Sequence, residues 1–310
     1  MKYGFKAAAL AASTLLAAAP ALADAPQQLT PEQQAELAKL KALAASLRPV
    51  SGDVQPSGSN ATLSLRTSYY YLNADDAKRV LTQAWRNPPD SVSGVLGMVF
   101  PQGTNFTNAP WAAVVTYVPS GFVSDVDAKT TDYGKLLEQL RSGEDQENQE
   151  RAKQNLPQMH LVGWAQQPSY DPVRHSLVWA RDIKVAGESD DTLNYDVREL
   201  GRKGVLSLNI VSQMSMLPTV RTAAQSLAGV ASFQSGGGYT DYKDGVDKKA
   251  AYGVAGLIAA GAGVALAQKF GLLALLILGL KKFAVVIIAG AAGLFARFRN
   301  MFGGKKKPAA

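Results

Sequence analysis

Two aspartates that stand two residues apart form the first candidate site. Asp125 and Asp127, with Asp132 further along, give an Asp-x-Asp spacing of the kind that opens calcium loops. An EF-hand starting at Asp125 needs glycine at position 130 and glutamate at position 136, where the chain has Thr130 and Leu136. The sequence therefore excludes an EF-hand. It leaves two interpretations, an irregular cation site or an Asx turn followed by a helix cap.

The chain has two histidines, and these are its candidate imidazole bases. His160 begins an apolar run, and His175 lies in the turn over residues 172–176. Neither has a serine or aspartate at the spacing of a known nucleophile motif, and the glycine run 236–238 does not have the setting of a phosphate-binding loop. We therefore expect surface or strand-end histidines and assign no catalytic residue.

A pair of arginines stands at the predicted connection between two strands. Arg198 and Arg202 flank Gly201, and two guanidinium groups there could bind a carboxylate, a phosphate or an anionic sugar. The alternative is an internal salt bridge to Asp196, Glu199 or another buried acid. The sequence is compatible with both interpretations.

Aromatic and polar side chains on the same predicted strands could complete a groove beside these arginines. Aromatic residues on strands also commonly belong to the core, which is the alternative. The candidate binding residues are Asp125, Asp127, Trp164, Tyr170, Asp171, Asn194, Tyr195, Arg198 and Arg202, without an expected metal or cofactor.

The composition narrows the classes of function. The chain has 310 residues and no cysteine, which excludes disulfide scaffolds, Cys-ligated metal centres and thiol catalysis. The net charge of +7 comes from the ends, because residues 1–23 carry two lysines and residues 250–310 carry eight basic side chains, both without acids. Residues 24–249 hold 22 basic and 25 acidic side chains, so we expect no nucleic-acid partner.

The central part has the pattern of an α+β domain. Helices are predicted by the Leu spacing over residues 37–47, by the capping residues Asn73 and Asp132, and over residues 216–231. Short polar connections between the last four strands predict an antiparallel meander, with helices on one face of the sheet. Alternating or β-branched runs predict strands over residues 61–65, 94–100, 111–118, 159–165, 176–185, 193–199 and 204–211.

The first 23 residues have the layout of a secretory signal peptide. Lys2 and Lys6 precede an apolar run, and small residues stand at positions 21 and 23. We expect cleavage after Ala23. The alternative is an uncleaved N-terminal anchor, although the apolar run is short for a spanning helix.

Residues 250–296 indicate a membrane anchor in contact with lipid, since they are apolar except at 268–269 and 281–282. Each uninterrupted piece is shorter than the roughly 20 residues of a helical crossing, so one crossing or a helical hairpin is possible. The basic tail, residues 297–310, favours the cytoplasmic side, which requires an odd number of crossings if residue 24 is exported. A buried helical hairpin of a soluble protein is the remaining alternative.

Several runs in the chain resemble a known family when they are taken together and in order. They are Gly121-Phe122-Val123-Ser124-Asp125-Val126-Asp127-Ala128, Gly163-Trp164-Ala165, Pro168-Ser169-Tyr170-Asp171, Leu177-Val178-Trp179-Ala180, Leu193-Asn194-Tyr195-Asp196-Val197-Arg198, Leu200-Gly201-Arg202-Lys203-Gly204-Val205-Leu206, Gly238-Tyr239-Thr240-Asp241-Tyr242 and Asp247-Lys248-Lys249-Ala250-Ala251-Tyr252-Gly253. The chain resembles the bacterial domain-of-unknown-function 2167 family, whose members are described as predicted membrane-anchored proteins. The resemblance implies a signal peptide, an exported domain and a C-terminal membrane anchor. It supplies no activity.

We therefore expect five segments in a protein of the bacterial inner membrane whose main domain is periplasmic. They are a signal peptide (1–23), an amphipathic helix with a linker (24–59), an exported α+β domain (60–249), a membrane anchor of one or two helical segments (250–296) and a basic tail (297–310).

Three functions fit this organisation. The favoured one is a non-catalytic binding or assembly module of the cell envelope, with an envelope protein partner or self-association. The second is an envelope hydrolase or lyase acting on a glycan or peptide, with Asp125 or Asp127 and His175 or Arg202 at its centre. The third is an accessory subunit of a membrane transport or stress-response complex, oligomerising through the glycines of its anchor.

Overall fold

The computed structural model describes residues 31–85, 87, 89–153 and 157–260. The predicted signal peptide, most of the predicted anchor and the basic tail lie outside the described residues. The strands are β1 (Asp53–Val54), β2 (Ala61–Ser64), β3 (Tyr69–Asn73), β4 (Val95–Pro101), β5 (Ala112–Val118), β6 (Phe122–Ser124), β7 (Met159–Asp171), β8 (Ser176–Val185), β9 (Thr192–Leu200), β10 (Val205–Gln213), β11 (Ala231–Phe233) and β12 (Lys249–Gly253). The helices are α1 (Pro31–Ser46), α2 (Ala74–Arg79), α3 (Tyr133–Ser142), α4 (Glu144–Lys153), α5 (Leu217–Leu227) and α6 (Val254–Ala260).

A seven-stranded antiparallel sheet in the order β3-β4-β5-β10-β9-β8-β7 is the centre of the fold. The predicted meander is confirmed, because β7 to β10 are neighbours in chain order. A smaller antiparallel sheet has the order β1-β2-β11, and β6 pairs with β12 in parallel. Antiparallel sheets with packed helices make this an α+β fold, as expected.

The helices cover both faces of the main sheet, whereas the sequence predicted one covered face. Leu208 of β10 belongs to the same buried cluster as Val220 of α5 on one face. On the other face, Val114 of β5 belongs to a cluster with Leu40 of α1. The physical reason is that the central strands are apolar on both sides, since consecutive residues of β5 are buried.

The predicted helix caps are confirmed at both positions. Asn73 accepts a hydrogen bond from the backbone N–H of Asp76 at 3.0 Å at the start of α2. Asp132 accepts from the backbone N–H groups of Gly134 and Lys135, both at 3.0 Å, at the start of α3. These short polar side chains satisfy N–H groups that the first helical turn leaves without a partner.

Residues 250–260, the first part of the predicted anchor, continue the fold. They form most of β12 and all of α6, and Leu257 and Ile258 are buried in one cluster with Trp179 of β8. Within the ranges given above, no helix has both the length and the apolar character needed to cross a bilayer.

Candidate functional site

A cavity of about 340 Å³ opens at the end of the main sheet where β8 begins and β9 ends. We call it the sheet-end cleft. Three layers meet there, because its walls also include β11 of the small sheet and the chain just after α5. Its side chains include Arg174, His175, Glu199, Phe233 and Tyr239.

A hydrogen-bonded chain of three side chains lies behind one wall of the cleft. The Tyr170 hydroxyl donates to Asp125 Oδ2 at 2.7 Å and lies 3.0 Å from His175 Nδ1. Because the single phenol hydrogen goes to Asp125, Nδ1–H must be the donor to Tyr170. In the neutral ring this leaves the lone pair on Nε2, as in a histidine oriented by a carboxylate.

Aromatic stacking fixes the position of His175. Its ring stacks on the ring of Tyr239, with the two centroids 4.2 Å apart. The ring centroids of Tyr239 and Phe122 are 4.5 Å apart. His175 has a φ of 55°, a conformation that costs a non-glycine residue free energy. The stacked rings and the Tyr170 bond hold the histidine in this turn.

The two phenols of the site stay protonated near neutral pH. Burial, followed by the hydrogen bond to Asp125, raises the pKa of Tyr170 well above its usual range. The same two causes raise the pKa of Tyr239, whose hydroxyl also accepts from the backbone N–H of Asp125 at 3.1 Å. Both hydroxyls therefore act as hydrogen-bonding groups, and neither carries a charge.

Glu199 supplies a carboxyl group to the floor of the cleft. It is 5% exposed and accepts a hydrogen bond from Ser176 Oγ at 2.9 Å. Burial raises the pKa of Glu199 to about 8, against the lowering effects of the Ser176 bond and of Arg174. At neutral pH the acid form predominates, so this side chain can donate as well as accept a hydrogen bond.

The second aspartate of the candidate pair is used elsewhere. Asp127 accepts from the backbone N–H groups of Val254 at 2.9 Å and Ala255 at 3.0 Å, at the start of α6. The local helix cap expected beside the Asp-x-Asp pattern is Asp132 at the start of α3, whereas the contact of Asp127 with a helix far along the chain was not predicted. Over the described residues, no group of three or more His, Asp or Glu side chains is placed to hold a metal ion.

The two arginines are both held by acids. Arg198 is buried, donates through Nη2 to Asp196 Oδ1 at 2.6 Å, and lies 5.3 Å from the centre of the Trp179 ring. Arg202 binds both oxygens of Asp247, at 2.7 and 2.9 Å. The hydrogen bond from Arg202 lowers the pKa of Asp247. The structure thus realises the salt-bridge alternative, with Asp196 as an expected partner and Asp247, whose side chain is 7% exposed, as the other buried acid.

The other candidate residues divide between the cleft and the rest of the sheet. Asp171 is the last residue of β7, beside the cleft, and its Oδ1 accepts from the backbone N–H groups of Val173 and Arg174 in the turn to β8. The remaining three make contacts within the fold: Trp164 donates to the Tyr133 carbonyl, Asn194 accepts from Arg181, and Tyr195 donates to Gln166.

The structure therefore brings Asp125, Tyr170 and Asp171 close together behind the wall of the cleft, although none of the three lines the cavity. The enzyme hypothesis paired Asp125 with His175, and the structure joins these two residues through Tyr170. Glu199 and Tyr239 were not expected as site residues. No signal in the sequence singled out Glu199, because its strand, Thr192–Leu200, also carries Asp196 and Arg198, and the burial of the whole strand is seen only in the structure.

Comparisons with known proteins give a family and no activity. A family model described as a protein of unknown function, DUF2167, matches residues 49–292. No curated protein matches the chain. Among solved structures, the solution structure of cyanobacterial PsbP (CyanoP) from Synechocystis sp. PCC 6803 matches with 9% sequence identity and a TM-score of 0.34, over 61% of this chain and 94% of that chain.

Proposed function

We propose that this chain, which belongs to the DUF2167 family of proteins of unknown function, is a membrane-anchored periplasmic protein of the bacterial cell envelope whose α+β domain is a non-catalytic binding module. The signal-peptide pattern of residues 1–23 and the apolar residues 261–296, which follow the last helix of the fold, support the location. The main domain then lies outside the inner membrane, where it meets envelope components.

The sheet-end cleft is the observation that carries the binding function. Its polar groups are held in place, because His175 is fixed by Tyr170 and Tyr239, and Glu199 by Ser176. Side chains that stand at the ends of strands in fixed orientations suit selective binding, since little conformational entropy is lost when a ligand binds. A cavity of about 340 Å³ is large enough for a small ligand or for a side chain of a partner protein.

Photocrosslinking in intact cells tests this proposal. A photoreactive phenylalanine analogue in place of Thr240, an exposed residue of the cleft wall, should capture an envelope component. The matched control is the same analogue at Lys184, which is exposed near the opposite end of β8. Ser232→Trp, which adds an indole ring at a residue that lines the cleft, should abolish the Thr240 adduct. Identical adducts from both positions, or no effect of Ser232→Trp, would contradict a binding function of the cleft.

One observation favours the enzyme alternative, an envelope hydrolase or lyase. The chain Asp125–Tyr170–His175 links two residues of that hypothesis and leaves His175 Nε2 available as a general base. Asp127 and Arg202, the other residues of that hypothesis, bind α6 and Asp247 instead. Purified full-length protein should turn over cell-wall fragments under this alternative, and His175→Ala should abolish turnover. No turnover by the wild type would remove it.

A further inference from the structure

We infer that the sheet-end cleft binds a small ligand through a carboxylate group, which Glu199 and Arg174 receive together. The inference rests on the proposed binding function of the cleft and adds the chemical class of the ligand.

Glu199 is placed to donate a hydrogen bond into the cleft. It is 5% exposed, and its neighbours in the cleft wall include Leu200, Ala231 and Phe233. Within the described part of the chain, no ion pair joins Glu199 to a cation. Oε1 accepts from Ser176, so the hydrogen of the acid form is available to a ligand oxygen.

Arg174 supplies the positive charge at the same cavity. It is exposed, lines the cleft, and has its backbone N–H held by Asp171 in the β7–β8 turn. Its charge acts on Glu199, since it lowers the pKa of that acid. A guanidinium group and a neutral acid that face one cavity both offer hydrogens, and two oxygens of one carboxylate accept them.

The chain after α5 forms another wall of the cleft, and its carbonyl groups do not strongly repel a bound anion. The last carbonyl groups of this helix already accept hydrogen bonds: Ala224 from Ala228 at 2.9 Å, Ser226 from Gly229 at 3.1 Å and Leu227 from Val230 at 3.0 Å. Their partial negative charge is therefore partly compensated within the chain.

A cationic ligand fits the cleft less well than a carboxylate. It would have to ionise Glu199 in a site where burial raises the pKa of that acid to about 8, and it would meet the charge of Arg174. The other titratable groups at the cleft are His175 and, from the turn after β11, Tyr239, with Asp171 beside them. Asp171 disfavours an anion, but it is turned to the backbone N–H groups of its own turn.

Binding of N-acetylglycine to the full-length protein in detergent tests the inference, with N-acetylglycinamide as the uncharged probe. Ligand-observed NMR titrations at pH 6.5 and pH 9 should show binding of the carboxylate that weakens about tenfold at the higher pH, because Glu199 ionises and repels it. Glu199→Gln, which mimics the neutral acid, should keep the affinity and remove this pH dependence. Arg174→Gln should weaken binding at both pH values, whereas the control Lys184→Gln should leave it unchanged.

Three outcomes would overturn the inference. They are equal binding of the amide and the carboxylate, binding of methylammonium that strengthens at pH 9 and is lost in Glu199→Gln, and no binding of any of these probes. The photocrosslinking at Thr240 separates this failure from failure of the proposed function. If the cleft-dependent adduct forms but no carboxylate binds, the proposed binding function stands and only the carboxylate class of the ligand is ruled out.

Discussion

The ionisation of Glu199 links the cleft to the stability of the fold. Burial raises the pKa of this acid from 4.5 to about 8, so the folded state holds a proton that the unfolded state releases. The stabilising contribution of the acid form is complete below about pH 4.5. This contribution is lost as the pH rises toward about 8, because the unfolded state then lowers its free energy by releasing the proton of Glu199, whereas the folded state still holds it.

Glu199→Gln should remove this dependence. We expect the free energy of unfolding of the wild type to fall by a few kcal/mol between pH 5 and pH 8 relative to that of the glutamine variant, which has no proton to release. Chemical denaturation at several pH values measures the difference between the two proteins. Parallel pH profiles for both would show that Glu199 has an ordinary pKa.

Tyr170 is the residue on which the hydrogen-bonded chain depends. Tyr170→Phe removes the bonds to Asp125 and His175, and we expect a loss of about 1 to 2 kcal/mol of stability. The nitrogen NMR shifts of His175 should also move away from the Nδ1–H form, since its acceptor is gone. Tyr242→Phe is the matched control, because it removes only an exposed hydroxyl bond to Asp244. An unchanged histidine spectrum in Tyr170→Phe would contradict the chain.

At the scale of elements, Asp127 joins two distant parts of the sequence. It follows β6, and its carboxylate accepts two backbone bonds at the start of α6. Asp127→Ala should destabilise the protein by about 1 kcal/mol, as loss of a helix N-cap does, and Asp127→Asn by less. Denaturation midpoints measure both, with Asp53→Ala in the exposed edge of β1 as a control.

Gly253 gives an independent check of the same contact. A Cβ at this position would lie 2.4 Å from Asp127 Oδ1, so Gly253→Ala must displace that carboxylate. Because both variants break one contact, their effects on stability should be less than additive. Full additivity would indicate that Asp127 does not hold the start of α6.

Elements that depend on local patterns were predictable, and elements that depend on remote partners were not. Asn73 and Asp132 act within one helical turn, so their capping function can be read from adjacent residues. By contrast, β6 has three residues and exists because β12, more than a hundred positions later, pairs with it. The cleft has the same property, since His175, Glu199 and Tyr239 come from three separate segments.

At the scale of the whole molecule, the distribution of charge bears on orientation. Residues 24–249 are slightly acidic, while the positive charge lies in residues 1–23 and 250–310. Basic residues that flank an apolar segment tend to stay on the cytoplasmic side of the membrane. The proposed arrangement therefore places the cleft in the periplasm and the tail, residues 297–310, in the cytoplasm.

Protease accessibility in spheroplasts tests this arrangement. A C-terminal epitope should resist protease added outside intact spheroplasts and become sensitive after lysis, because the five basic residues between positions 297 and 307 hold the tail inside. The mass of the mature protein should place its N-terminus at Asp24. Cleavage at that position would show that the N-terminal side of the chain has been exported across the membrane. Digestion of the epitope without lysis would indicate an even number of crossings, as in the hairpin.

Replacing the five basic residues between positions 297 and 307 with glutamine should weaken the protection of the epitope, because the orientation signal is then reduced to the lysines at 269, 281 and 282.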